Sequence, residues 1–261
     1  MLRAFSLSLL LFSFCLGGVS FASSSVQEVR GDFKATTDQA KFVKALAKAL
    51  DPESMTVTFV DGPKDNGEIS GLYLDVVGLS AGTDYRLDRF SLSGALVRLT
   101  PPAQWDVEDL ETFRPSKWEG LFNAELLLRE NTAREALALF SRTQGDDQWR
   151  DLSVDFKPGK ILLEGTYRVN GGMRAVFKIT TGLELRRGKQ IWLANPDVRI
   201  NNDEQTQAIR SKIQEINPPA DFDKLGVPLV LRTIKITDKE LRIATGKPPR
   251  PLDGDTWKYV R

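Results

Sequence analysis

The stretch Asp151–Asn195, DLSVDFKPGKILLEGTYRVNGGMRAVFKITTGLELRRGKQIWLAN, decides the fold. It holds four apolar-rich runs: Leu152–Phe156, Lys160–Val169, Arg174–Leu185 and Gln190–Asn195. Between them stand Pro158-Gly159, Asn170-Gly171-Gly172 and Arg187-Gly188-Lys189. Short joints of this kind between β-rich runs are hairpin signals, and Asn-Gly is the strongest because both residues accept the positive φ of the tight turn. Within the runs, Val176, Phe177 and Ile179, then Leu183 and Leu185, and then Ile191 and Leu193, are set among polar neighbours. That spacing predicts an antiparallel sheet with one wet face and one apolar face.

Outward from this block the same patterns recur. Upstream, Thr37 is placed to cap a helix to about Leu50, with Phe42, Val43, Leu46, Ala47 and Leu50 on one face and Asp51-Pro52 as its stop. Met55, Val57 and Phe59 then alternate as a strand. Ile69–Val77, Tyr85–Leu99 and Phe122–Leu128 continue the series. Thr132-Ala133-Arg134-Glu135 has the capping-box spacing and predicts a second helix to about Ser141. Downstream, Val198–Ile200 reads as a short strand and Gln205–Ile216 as a third helix, with Ile209, Ile213 and Ile216 in register. Val227–Thr237 and Glu240–Ala244 make a last hairpin. Ser23–Asp32 reads as loose, and Lys247–Arg261 as a Pro-rich polar tail with Trp257 and Tyr259, either loose or packed on the surface. The fold class is therefore α+β. A helix followed by strands begins at Thr37 and again at Thr132, a rough duplication.

Composition narrows the functions. Lys+Arg number 36 and Asp+Glu 35, and histidine is absent. Met1–Ala22 has the form of a secretory signal: Arg3, the apolar run Ala4–Leu16, then Ser20-Phe21-Ala22 for cleavage. A chain cut there carries no net charge, which argues against nucleic acid as a partner. Cys15, the one cysteine, leaves with the signal. The expectation is an exported protein of the periplasm or cell envelope, without disulfides, His metal sites or a His-dependent nucleophile. No cofactor is called for. About 240 residues suffice for a sizeable core.

Short helices cannot cover so much sheet. The surplus apolar face must curl on itself, meet a partner or hold a ligand. The chain resembles the LmeA-like family of bacterial envelope proteins, which bind phospholipid. The resemblance spans roughly Thr37–Gly246 and is carried by four stretches. These are Gly67–Leu72 leading into Leu87–Leu99, the block Phe122–Leu128 with its helix, the pair Val154–Val169 and Met173–Leu185, and Leu225–Leu229 before Thr233–Gly246. It implies a long twisted antiparallel sheet wrapped around a few amphipathic helices, as in tubular lipid-binding domains, forming one domain over residues 23–246 without catalytic groups. It also implies a phospholipid or other acyl lipid as ligand, serving envelope lipid transport or maintenance.

Candidate groove residues are Leu126, Leu128, Leu137, Phe140, Ile161, Leu163, Val176, Ile179, Ile191 and Leu193, which serve equally as core. Trp105, Phe113, Trp118 and Phe122 form either an aromatic lip that touches a membrane surface transiently or a loop over the core. Lys178, Arg186, Arg187, Lys189 and Arg199 suit a phosphate headgroup or a solvated face. Asp106, Glu108, Asp109 and Glu111, and likewise Asn201–Glu204, supply oxygens but lack the spacing of a Ca²⁺ loop. A structural module of the envelope, whose sheet face meets an unknown protein partner, is the alternative reading. A hydrolase built on two carboxylates is the third.

Overall fold

The computed structural model describes residues 25–80, 86–105, 119–143, 149–168, 173–207, 214, 217, 220–222 and 228–261. The signal segment, Phe113, Trp118, the acidic group at 106–111 and the helix residues Ile209, Ile213 and Ile216 lie outside them. The architecture is α+β and dominated by antiparallel strands, divided between two sheets.

The first sheet has eight strands in the order β1-β14-β2-β3-β4-β5-β13-β12. Here β1 is Val26–Arg30, β2 Ser54–Val60, β3 Glu68–Leu79, β4 Leu87–Arg98 and β5 Glu119–Arg129. The later members are β12, Leu231–Ile236, β13, Glu240–Thr245, and β14, Asp255–Val260. Period-two patterning gives it one apolar face, because paired residues of neighbouring strands point the same way. One row across that face runs Trp257, Val57, Leu74, Leu92, Ala124. The next runs Tyr259, Met55, Val76, Phe90, Leu126, Ile243, Ile234.

Helix α1, Asp38–Leu50, covers the β14-to-β4 half of this face. Thr37 caps it as expected, accepting from the Ala40 N–H at 3.2 Å, and Asp51 ends it in the left-handed region. Ala40, Phe42, Val43, Ala45 and Leu46 are buried there, with the Phe42 ring edge-on to Phe59 at 5.4 Å.

The other half is covered by helix α2, Glu130–Thr143, and by the second sheet. That sheet has five strands in its main path: β6 Trp149–Lys157, β7 Lys160–Arg168, β8 Arg174–Arg186, β9 Gln190–Ile200 and β10 Asp203–Glu204. The two-residue β11, Ala220–Asp221, also pairs with β9. The hairpins of the quoted stretch thus stand, and β9 absorbs Val198–Ile200 through a bulge at Asn195. Helices α1 and α2 are each followed by a four-strand meander, β2–β5 and β6–β9, so the duplication read in the sequence has a structural counterpart.

The sheets join at β12. Its Leu231 N–H donates to Gly188 O at 2.7 Å and its Ile236 C=O accepts from Gly159 N–H at 3.0 Å. Two hairpin turns of the second sheet thereby close an edge that would otherwise be open to pairing.

Three expectations are corrected. Lys247–Arg261 is not a loose tail: Asp255–Val260 is a strand between β1 and β2, with Trp257 and Tyr259 buried. The stretch before it passes the outer face, where Leu252 lies against Gly71. Ser23–Asp32 is not loose throughout, since Val26–Arg30 pairs in parallel with β14, the one parallel pair among the described residues. Helix α2 begins at Glu130 and not at Thr132. Thr132 donates its hydroxyl to Asp88 Oδ1 at 2.8 Å, and the other oxygen of that carboxylate accepts from the Arg129 N–H.

Candidate functional site

Between α2, the β5–β13 end of the first sheet and the β6–β7 hairpin lies an apolar groove of about 450 Å³. Its floor is Leu87, Leu128 and Leu241; Leu128 and Leu241 are cross-strand partners. One wall is Val154, Phe156, Ile161 and Leu163, from the apolar face of β6 and β7. The other is Ala133, Ala136 and Leu137 on α2. Positions 133, 136 and 137 share one helical face, and two alanines on it keep the space between helix and sheet unfilled. Phe156 and Val154 are buried, whereas Leu128, Leu137, Ile161 and Leu163 are half-buried and face the space. Arg86 is the single charged residue on the lining among the described residues.

The groove has this shape because α2 is pinned to the edge of β6 and not packed flat on the sheet. Arg134 Nε donates to Val154 O at 3.0 Å, and Phe156 N–H donates to Glu130 Oε2 at 2.7 Å. Arg134 also pairs with Glu130 at 2.7 Å and with Asp155. Helix side chains thus satisfy edge backbone groups of β6, which a further strand would otherwise have to pair.

The structure sorts the sequence candidates. Leu128, Leu137, Ile161 and Leu163 line the groove together. Leu126 packs half-buried in the same cluster, one pair further along β5. Ile179 pairs with Leu163 and continues the apolar face onto β8. Ile191 is buried at 5% exposure and belongs to the core between the sheets. Leu193 lies instead beside a polar hollow with Trp192, Asn195 and Thr206. Val176 is a correction. It is 55% exposed and points opposite to Phe177, because adjacent strand residues cannot share a face. Phe140 lies on α2, and its side chain is outside the described set.

The headgroup and membrane candidates among the described residues do not gather at the groove. Trp105 is buried, 5.9 Å from the Phe42 ring, and donates to Thr100 O at 2.8 Å, so it belongs to the core and not to a lip. Phe122 is half-buried on the first sheet and packs against that core. Arg186 stacks 4.0 Å over Trp192 and pairs with Glu184. Arg187 is exposed in the β8–β9 turn with φ 54°, and the Lys189 carbonyl accepts from Phe222 N–H. Lys178 pairs with Glu164 at 2.6 Å and Arg199 with Asp197 at 3.5 Å, on the polar face of the second sheet. Asn201 and Asn202 take positive φ in a turn, and Asn201 Oδ1 accepts from Val176 N–H.

Among the described residues, several carboxyls are held below their ordinary range, all by hydrogen bonds away from the groove. Lys64 and Ser70 lower Asp61, Arg98 and Asn66 lower Glu68, Thr206 lowers Glu204, and Ser25 and Gln39 lower Asp255. These groups are ionised anchors of turns and strand ends. Sequence reasoning missed Arg86, Leu87, Ala133, Ala136, Val154, Phe156 and Leu241 as lining, since they come from four separate elements and the residue before β4, and no local pattern joins them.

Comparison with known proteins yields no matching family model, no matching curated protein and no matching solved structure.

Proposed function

We propose that this chain is an exported, non-catalytic lipid-binding protein that holds an acyl chain in the groove between α2 and the two sheets, in the manner of tubular lipid-binding domains. The resemblance to envelope phospholipid-binding proteins points the same way, toward lipid transport or maintenance. The observation that carries the reading is the lining: among the described residues ten of eleven are apolar, and the eleventh is Arg86. The volume falls in the roughly 300–1,000 Å³ range of small-molecule sites. A methylene is close to a water molecule in size, and at about 30 Å³ each the groove takes on the order of ten to fifteen. At about 0.8 kcal/mol per buried methylene, that is roughly 8–12 kcal/mol before the costs of association. That gross gain is of the size needed to offset the cost of association and hold a lipid tail.

The test is a native mass spectrum of Ser23–Arg261 purified from a bacterial host, followed by extraction of what it carries. Discrete adducts of lipid mass, released on denaturation, are the expected outcome. A clean apo mass that persists after incubation with phospholipid vesicles would defeat the reading. The protein-partner alternative would then stand first.

A further inference from the structure

We infer that the ligand of the groove ends in an anionic head, a carboxylate or a phosphate ester, and that Arg86 receives it. This rests on the acyl-chain reading above and narrows its ligand class. Arg86 borders the same space as Leu87 and Leu128, so a tail lying on those leucines brings its polar end to the guanidinium. The side chain is 39% exposed, open to solvent and yet beside the apolar lining, where charge pairing is stronger than in bulk water.

The guanidinium is held ready and only partly engaged. Nη1 donates to Glu53 Oε1 at 2.9 Å, its single hydrogen bond among the described residues. Nη2 lies 3.9 Å from Asp51 Oδ2, outside hydrogen-bond reach, and Asp51 itself pairs with Arg261 at 2.8 Å. A guanidinium has five N–H donors in a planar fork that matches two oxygens of a carboxylate or phosphate. Most of that capacity is left for a ligand.

Glu53 has a defined seat beside it. Gly78 adopts φ +64°, and a Cβ there would stand 2.5 Å from Glu53 Cδ. The missing side chain is what lets Glu53 reach Arg86. Glu53 is then a resident counterion that orients the empty site and competes with an incoming anion. The arginines and lysine of the β8–β9 turn have no such place, since the lining of this groove includes none of them.

The experiment uses the delipidated full chain and three probes with the same tail: palmitate, hexadecyl phosphate and hexadecanol. Both anions should bind about tenfold or more tightly than the alcohol, as a charge-assisted hydrogen bond implies. Arg86→Gln should bring the anions down to the level of the alcohol and leave the alcohol unchanged, which also shows that the variant is folded. Arg86→Lys should restore part of the preference. Glu53→Gln should tighten anion binding severalfold by removing the competitor, a gain that a merely structural ion pair would not give. Equal binding of acid and alcohol by the wild type, or unchanged anion binding by Arg86→Gln, would overturn the inference while leaving the acyl-chain reading intact. Failure of all three probes to bind would sink both.

Discussion

Filling the groove from the helix side separates a binding site from a packing defect. Ala136 is half-buried on the inner face of α2 and lines the space. Ala136→Leu keeps a strong helix former at the position and adds three carbons. At about 0.8 kcal/mol per carbon buried, the empty protein should gain up to about 2.4 kcal/mol, less any strain. The same three carbons remove space for about three methylenes of a ligand. The loss in binding is then also about 2.4 kcal/mol, or roughly fifty-fold in Kd. Stability and affinity should move in opposite directions. Urea unfolding of delipidated protein reads the first, and displacement of a fluorescent fatty-acid probe reads the second. Wild-type probe affinity in Ala136→Leu would show that no chain runs along this wall. A destabilisation beyond about 1 kcal/mol would show that the space is not free.

Other consequences follow from the same contacts. Leu163→Lys puts an ammonium in the groove and should abolish probe binding, whereas Val176→Lys, on the opposite face, should leave it unchanged; equal loss in both would remove the groove from consideration. Trp257→Ala should cost about 3–5 kcal/mol in urea unfolding, because the ring is buried and its N–H donates to Gln39 Oε1 at 2.9 Å. It should also strip amide-exchange protection from Val26–Arg30, and a shift below about 0.5 kcal/mol would contradict the buried placement. Ser25 and Gln39 hold Asp255 below its usual 3.8. A lowered carboxyl stabilises the fold above its unfolded pKa, and that contribution vanishes as pH falls through the depressed folded value. Unfolding midpoints should therefore drop between about pH 5 and pH 3, and Asp255→Asn should flatten part of that slope.

Much of the fold was legible where the signals are local. The Thr37 cap, the Asp51-Pro52 stop and the turns at Pro158-Gly159 and Arg187-Gly188-Lys189 each act within a few residues, and each stands where it was read; Asn170-Gly171-Gly172 lies outside the described residues. Errors arose where a distant element decides. The Thr132–Glu135 spacing imitates a capping box, but Asp88 on β4 supplies the acceptor and the helix starts earlier. In the last fifteen residues the prolines outweighed the alternation of Trp257 and Tyr259 with Thr256, Lys258 and Val260, which was a strand signal. Val26–Arg30 is polar and forms a strand only because β14 offers it an edge. At the site, Leu128, Leu137, Ile161 and Leu163 were within reach of pattern reading, since each lies on the apolar face of its own element. Arg86 was not, because its significance depends on leucines brought in from β5 and β13 and on a carboxylate seated over Gly78.

The pairing of β1 with β14 joins residues as far apart as Ser25 and Asp255, 230 positions along the chain. A ribosome makes these partners 230 residues apart. Until Asp255–Val260 emerges, the first sheet lacks the strand between β1 and β2, and α1 packs on an incomplete floor. Such late, long-range closure makes for slow folding and keeps a nascent chain open longer than its helices alone would suggest. An aborted chain lacking those six residues would expose Val57 and Met55 along an unpaired edge, a form that quality-control proteases and chaperones recognise.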